Sequence, residues 1–584
     1  MRFFKIFFAS LLAFFVFTAL CVIVLLVMIG KAISSEPVAI SPNGILVLQT
    51  SQSYNEQKVV NPLGAFMKED ASEVPGLYQT VRLIEHAATD DNIKGIYLKV
   101  DGDPNGFASS EELHDALLRF RKSGKFVYAY GEVITQKGYY LATAADKIYL
   151  NPKGMVDFTG FSTQITFFKG TLEKLEIQPE IFYCGKFKSA TEPLRENQMT
   201  EANRIQTSQF LGQLYGNFLQ GISKSRSIDT ATLHGYANEN LIQEPADALK
   251  YKLVDALKYD DEVVAELKGK TGLKDTEKLN LVTLFKYNSA VTIDNGSGEN
   301  KIALIYAQGG IVSGDNDKEN TIASENFLRD IRRAREDKNV KAILFRVNSP
   351  GGSALASEVI WRELSLARKV KPVVVSMGDY AASGGYYISC MADSIFAESN
   401  TLTGSIGVFG VMFNMQSFFK NKLGVTFDGV KTAPFADLGS IGRPLTEAEK
   451  HFVQKSVDSV YASFKDRVAV GRKLSPAIVD SIAQGRVWTG QDAVKLGLVD
   501  RIGGISDARA CAARMAKLTT YRLVEYPEVK DKLSKLLKSV GGDVETRMLK
   551  RELGEEYRLY QQLKEVKEMH GDIQAKLPFN YLGM

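Results

Sequence analysis

Short apolar runs alternate along the chain with stretches in which apolar residues recur every three or four positions. KIALIYA (301–307), KAILFRV (341–347) and KPVVVSM (371–377) predict buried strands. ENFLRDIRRARED (325–337) and ASEVIWRELSLARK (356–369) predict helices with one apolar and one charged face. Strand, helix, strand in succession implies an α/β fold with a mostly parallel sheet under helical cover. In such sheets the loops at the carboxyl ends of strands hold the chemistry. NSPGGS (348–353) and GDYAASGG (378–385) both fall at such ends.

The pattern occurs twice. IKGIYLKVDGDPNG (93–106) matches VKAILFRVNSPGGS (340–353) at a shift of 247. The same shift sets GEVITQKGYYLATAAD (131–146) on GDYAASGGYYISCMAD (378–393), and Gly160 on Gly407. DALKYKLVD (247–255) faces DAVKLGLVD (492–500) at a shift of 245. Matching order over four segments implies two copies of one domain, 41–287 and 301–520. The Gly/Ser/Asn-rich DNGSGEN (294–300) marks a linker, set at 288–300. The remainder, 521–584, is charged, carries Leu and Tyr on one face, and reads as a helical tail packed on the body or a neighbouring subunit.

Residues 1–40 differ in kind. Arg2 and Lys5 precede 25 uncharged residues, Ile6 to Gly30, enough for a helix to cross a bilayer. A cleaved secretory signal has a shorter apolar core, so an uncleaved single-pass anchor contacting lipid through residues 6–30 is expected; KAIS (31–34) leaves cleavage open. The short basic N-terminus stays in the cytoplasm and the globular body lies outside it.

Composition excludes little more. The chain has 584 residues, 45% hydrophobic and 24% charged, with a net charge of +4, as in an ordinary folded protein. No basic stripe interleaved with aromatics points to nucleic acid. Cys21, Cys184, Cys390 and Cys511 match no zinc spacing and are too few for a disulfide scaffold; the last three read as free buried thiols. His86, His114, His234, His451 and His570 are scattered, and no metal or cofactor is called for.

Ser383 follows a predicted strand and opens a predicted helix, where first-turn N–H groups lack intrahelical partners. Its alanine and glycine neighbours let a substrate backbone come close. The N–H of Gly384, with Gly351 or Gly352, is placed to hold an oxyanion. Tight helix–sheet packing is the ordinary explanation of such small residues. A serine nucleophile needs a base. With no histidine near in sequence, lysine is the known substitute, and it has to be neutral. At the serine position the first copy has Gln136. It carries instead GKFKSATEPL (185–194), with Lys188 among small and apolar residues. The second copy's GVKTAPFADL (429–438) sets Thr432 on Lys188 and leaves Lys431 one place off. Each copy thus retains one half of a dyad, and Lys431 stays open as a rival.

RVNSPGGSALASEVI, GDYAASGGYYISCMAD, TLTGSIGVFG and GKFKSATEPL resemble the signal peptide peptidase A family in its long tandem-repeat form, within the Clp protease/crotonase group. The resemblance implies two Clp/crotonase-like repeat domains after a transmembrane helix. It implies Ser383 as nucleophile, Lys188 as general base and Ser405 as a hydroxyl that orients the lysine. It also implies a membrane-anchored homotetramer, in the bacterial inner membrane with its catalytic part periplasmic, that degrades cleaved signal peptides and other unfolded peptides. A crotonase-like acyl-CoA enzyme and a non-catalytic envelope scaffold are the alternative classes.

Overall fold

The computed structural model describes residues 2–33, 39–60, 73–274, 276–316, 320–528 and 570–577, with isolated positions between 552 and 564. The first half contributes strands β1 (Gly44–Gln49), β2 (Ile93–Lys99), β3 (Phe126–Ile134), β4 (Lys147–Val156), β5 (Gln178–Cys184), β6 (Ala256–Leu257) and β7 (Leu281–Thr283). All but β5 form one parallel sheet in the order β6-β4-β3-β2-β1-β7. The second half contributes β8 (Lys301–Gln308), β9 (Gly310–Val312), β10 (Thr321–Ala323), β11 (Val340–Ser349), β12 (Gly351–Ser353), β13 (Val373–Ala382), β14 (Ser394–Ala397), β15 (Leu402–Gly404), β16 (Val408–Asn414), β17 (Val487–Thr489) and β18 (Arg501–Ile502). Two more strands follow, β19 (Arg522–Tyr526) and β20 (Ile573–Lys576).

The parallel run β18-β14-β13-β11-β8-β19 repeats the order of the first sheet strand for strand. β11 and β13 are buried on both faces, which is why they read as continuous apolar runs and not as alternation. Helices cover both sheets, and separate apolar clusters fill their faces. The chain is therefore mixed α/β, built on a repeated parallel sheet.

A third sheet joins the halves. Its order is β10-β9-β12-β20-β16-β5. Here β5, from the first half, pairs antiparallel with β16 from the second over seven residue pairs, Gln178↔Asn414 to Cys184↔Val408. A second tie is Arg346 of β11, fully buried, whose guanidinium donates to Glu56 and Glu112 of the first half. Only such pairing makes a buried charge tolerable.

The reading of 521–584 as a helical tail is corrected at its two ends only, since the described positions 552, 553, 557, 560 and 564 are helical. β19 extends the second sheet beside β8, and β20 enters the third sheet. Residues 529–551 lie outside the described residues. The linker DNGSGEN has no helix or strand but is tied down: Arg82 donates to Asp294 and Asn295, and Leu523 N donates to Asn295 O. Cys390 and Cys511 are free and buried, but Cys184 is half-buried, because β5 is the outer strand of its sheet.

Arg2–Ile33 is one helix. Every side chain from Ile6 to Leu20 is exposed, Phe14 and Phe15 among the most. The described side chains of this helix, unbroken only from Ile6 to Leu20, are too short a run to cross a membrane, and no other described helix is long and apolar enough.

Candidate active site

Ser383 stands where β13 ends and the helix Gly384–Ser389 begins. Its backbone is at φ 54° and ψ −112°. A non-glycine residue at positive φ is strained by roughly 1–3 kcal/mol, and the surroundings have to hold it there. They do so at both sides of the residue: Ser383 N donates to Gly404 O, and Tyr387 N donates to Ser383 O, each at 2.8 Å.

Lys188 arrives from the other half. The β5–β16 ladder carries the chain to Cys184, and Gly185, at φ 105°, turns it inward. A side chain at Gly185 would strike the backbone of Gln484. Lys188 Nζ then lies 2.8 Å from Ser383 Oγ, 3.1 Å from Ser405 Oγ and 3.3 Å from Ser405 O. Lys188 is 1% exposed and Ser383 0%. Burial holds the ammonium well below the ordinary lysine range. A neutral amine beside an alcohol is the arrangement that removes an alcohol proton. Ser383 Oγ also donates to Gly407 O at 3.3 Å.

The glycines expected around an oxyanion are also here. Gly351 is at φ 98°; a Cβ on it would come 2.7 Å from Gly384 N, and one on Gly384 would come 3.1 Å from Gly351 Cα. The two segments therefore touch. Gly351 N donates to Ser349 Oγ, and Gly352 faces Ala575 in the β12–β20 ladder.

Lys431 is elsewhere: it is exposed and ion-paired with Asp437, which also binds Arg443. In the first copy, Gln136 and Gly160 exchange two amide hydrogen bonds, of 2.8 and 2.9 Å. These are the positions that Ser383 and Gly407 occupy in the second copy. Where the second copy has its serine hydroxyl, the first copy thus has an amide locked on backbone, in the wall of an open cavity.

Three features escaped sequence reasoning. The turn Gln484–Arg486 supports both sides of the pair: Phe187 N donates to Gln484 O, Gly485 N to Ile406 O and Ser405 N to Arg486 O. Gln206 donates from Nε2 to Phe187 O and Ser189 Oγ and accepts from Val487 N, tying the lysine loop to β17. The third is β20, beside Gly351 and Gly352. Positive φ at Gln484 and Ser405 has no sequence signal, since neither is glycine.

Comparison with known proteins gives the family. The family described as Peptidase family S49 matches residues 119–274 and 365–519, one stretch in each half. The family of ClpP-like SDH-type serine proteinases matches 306–420, which contains Ser383. The chain is 38% identical to Protease 4 of Salmonella typhi, over 91% of this chain and 87% of that one. It is 35% identical to the chloroplastic serine protease SPPA of Arabidopsis thaliana, over 78% and 69%. It is 37% identical to Protease 4 of Haemophilus influenzae, over 74% and 71%. With two family repeats over more than half of its length and relatives matched over most of theirs, the chain belongs to Peptidase family S49 and is a serine protease.

Proposed function

We propose that this protein cuts peptide bonds with a dyad of Ser383 and Lys188. The observation that carries the reading is the 2.8 Å contact between their side chains in a buried site that depresses the amine. Neutral Lys188 accepts the Ser383 proton as Oγ attacks a peptide carbonyl. Gly384 and one of Gly351 and Gly352 donate to the oxyanion. Lys188 passes the proton to the leaving amine, and an acyl-enzyme forms. Water, deprotonated by the same lysine, then releases the acid. Ser405 keeps Nζ directed at Ser383.

The substrates are extended apolar peptides, foremost the signal peptides left in a membrane after secretory proteins are released. The resemblance to the signal peptide peptidase A family supports this class, and so does the N-terminal helix with its exposed apolar side chains. That helix anchors the protein in the bacterial inner membrane through residues 6–30, with the protease domains on the periplasmic side and four copies in the assembly.

The test uses the full chain in detergent. A serine-directed acylating probe labels Ser383, and Ser383→Ala and Lys188→Ala each abolish labelling and cleavage of an apolar peptide. Cleavage that survives either change sinks the dyad. Protease digestion of intact spheroplasts tests the topology: degradation of the body from outside is expected, and full protection overturns it.

A further inference from the structure

Duplication has left the first half with a counterpart of the active site. The shift of 247 carries the helix Phe107–Arg121 onto Ala354–Arg368 end for end, and it sets Pro104 on Gly351 and Lys137 on Gly384. Beside these residues lies an open cavity of about 700 Å³, walled in part by Asp103, Pro104, Phe107, Gln136, Phe161 and Leu211. Its residues cannot cut. Gln136 replaces the nucleophile and is bonded to Gly160. Pro104 has no N–H to offer an oxyanion. Lys137 Nζ donates to Asn105 O at 2.7 Å.

The same place keeps an edge on which an extended chain can lie. Residues 161–167 follow Gly160 as 408–414 follow Gly407. In the second half that stretch is β16, paired on both sides, with β5 and β20. In the first half it belongs to no ladder. Ser162, Gln164 and Thr166 are exposed, while Phe161, Thr163, Ile165 and Phe167 are buried or half-buried, the alternation of a strand. Among the described residues no hydrogen bond reaches the backbone of 161–167. An open strand edge pairs with an added extended peptide, and the pockets beside it take alternate side chains.

The cavity wall continues into the wall of the catalytic groove. Phe107, Phe161, Phe167 and Leu211 pack on the apolar cluster that holds Ala382, Leu402 and Val487, and Ala382 immediately precedes Ser383. Next to Phe107, Gly106 abuts Asp379: a Cβ on the glycine would meet that carboxyl group at 2.2 Å. Ser109 donates to the same carboxylate from both N and Oγ. Asp379 lies four residues before Ser383 in β13, about 13 Å along a strand.

We infer that the first-half cavity is a holding site for substrate: it seats an extended apolar segment of the peptide that Ser383 cuts as a strand on 161–167, and leaves that segment whole. The inference rests on Ser383 and Lys188 acting as proposed. Three observations choose this occupant. The walls run on into the cutting groove, the edge offers backbone pairing, and Phe107, Phe161 and Leu211 offer apolar contact. A peptide has to extend about four residues past the scissile bond to reach the site, so shorter ones are cut without it.

Length dependence tests this on the full chain in detergent. Two apolar peptides share one cut site, one of about six residues and one of about 16, long enough to span both sites. The longer has a KM about 10-fold lower, the worth of one or two buried apolar side chains. Leu211→Arg puts a cation in the cavity wall, and Gln164→Pro puts a ring on the exposed edge. Each raises KM for the longer peptide to that of the shorter without a matching fall in kcat. Equal KM values in the parent overturn the proposal. So does a length advantage that survives both changes, as it would if a second copy of the chain covered the edge. Crosslinking needs no catalysis: on Ser383→Ala the longer peptide, carrying a terminal benzophenone, labels 161–167, and adding Leu211→Arg removes the label. Labels confined to the second half, in a protein whose Ser383 and Lys188 variants behave as expected, sink the holding site alone. Labels at 161–167 with cleavage surviving Ser383→Ala sink the dyad and leave the holding site.

Discussion

Gly485 presses on Lys188: a Cβ on the glycine would lie 2.7 Å from both the Cβ and the amide nitrogen of the lysine. Gly485 is also at φ 74°, where side chains are strained. Gly485→Ala is therefore expected to push Lys188 away from Ser383. A displacement near 1 Å costs about 100-fold in rate. The check is kcat for a short peptide beside the thermal midpoint: kcat falls by about that factor while KM stays within twofold. A protein that merely unfolds shows a lowered midpoint, and its residual activity keeps the parent kcat per folded molecule.

Lys188 imposes a pH dependence whose sign follows from its burial. With Lys188 as the proposed base, activity needs its neutral form, so kcat/KM is expected to rise with pH, with a midpoint well below the ordinary lysine value of 10.5. The unfolded chain binds the proton that the folded site rejects, so this group's contribution to stability improves as pH rises toward the unfolded pKa. Lys188→Met loses activity by at least 1,000-fold, on the order of losses seen for catalytic dyads and triads. The same variant is more stable than the parent at neutral pH. Between the folded and unfolded pKa values that advantage shrinks by about 1.4 kcal/mol per pH unit. Denaturant titrations at pH 7 and 9 measure it, and an advantage that grows with pH contradicts the assignment.

Ser405 accepts from Lys188 Nζ and is itself held at φ 49°. Ser405→Ala removes the hydroxyl and leaves the 3.3 Å carbonyl contact. The expected loss is about 10–100-fold in kcat with KM unchanged, since supporting groups around a reacting centre contribute on this scale. Ser405→Thr restores part of it. A purely structural role predicts a lowered thermal midpoint and no rescue.

Lys431 is bound to Asp437 on the surface, far in function from the buried pair. Lys431→Ala is expected to keep activity within twofold and to leave the thermal midpoint nearly unchanged, since an exposed ion pair contributes little. Steady-state kinetics settle it: a loss beyond tenfold would make the lysine assignment wrong.

The duplicated sheet was legible because burial on both faces writes itself as unbroken apolar runs, and because both copies kept their order. Ser383 was legible from its small neighbours and its strand-end position. Lys188 was reached only by setting one copy against the other, and Lys431 could not be dismissed, since one place of register decides which side of an extended segment faces inward. What separates them is the β5–β16 ladder, a pairing of residues more than 220 positions apart. No local pattern specifies such a pairing. The support from Gln484–Arg486 is backbone to backbone, so side-chain identity hardly records it. IQAK is too short and too mixed in polarity to announce a strand, and the long charged run before it drew the reading toward helix.

The ladder that delivers Lys188 also fixes when the enzyme comes alive. During synthesis the lysine-bearing strand emerges from the ribosome more than 200 residues ahead of its partner. Until the second copy has been made, a half-built protease carries an amine with no alcohol to activate. Birth order along the gene thus keeps an unfinished hydrolase harmless to its neighbours.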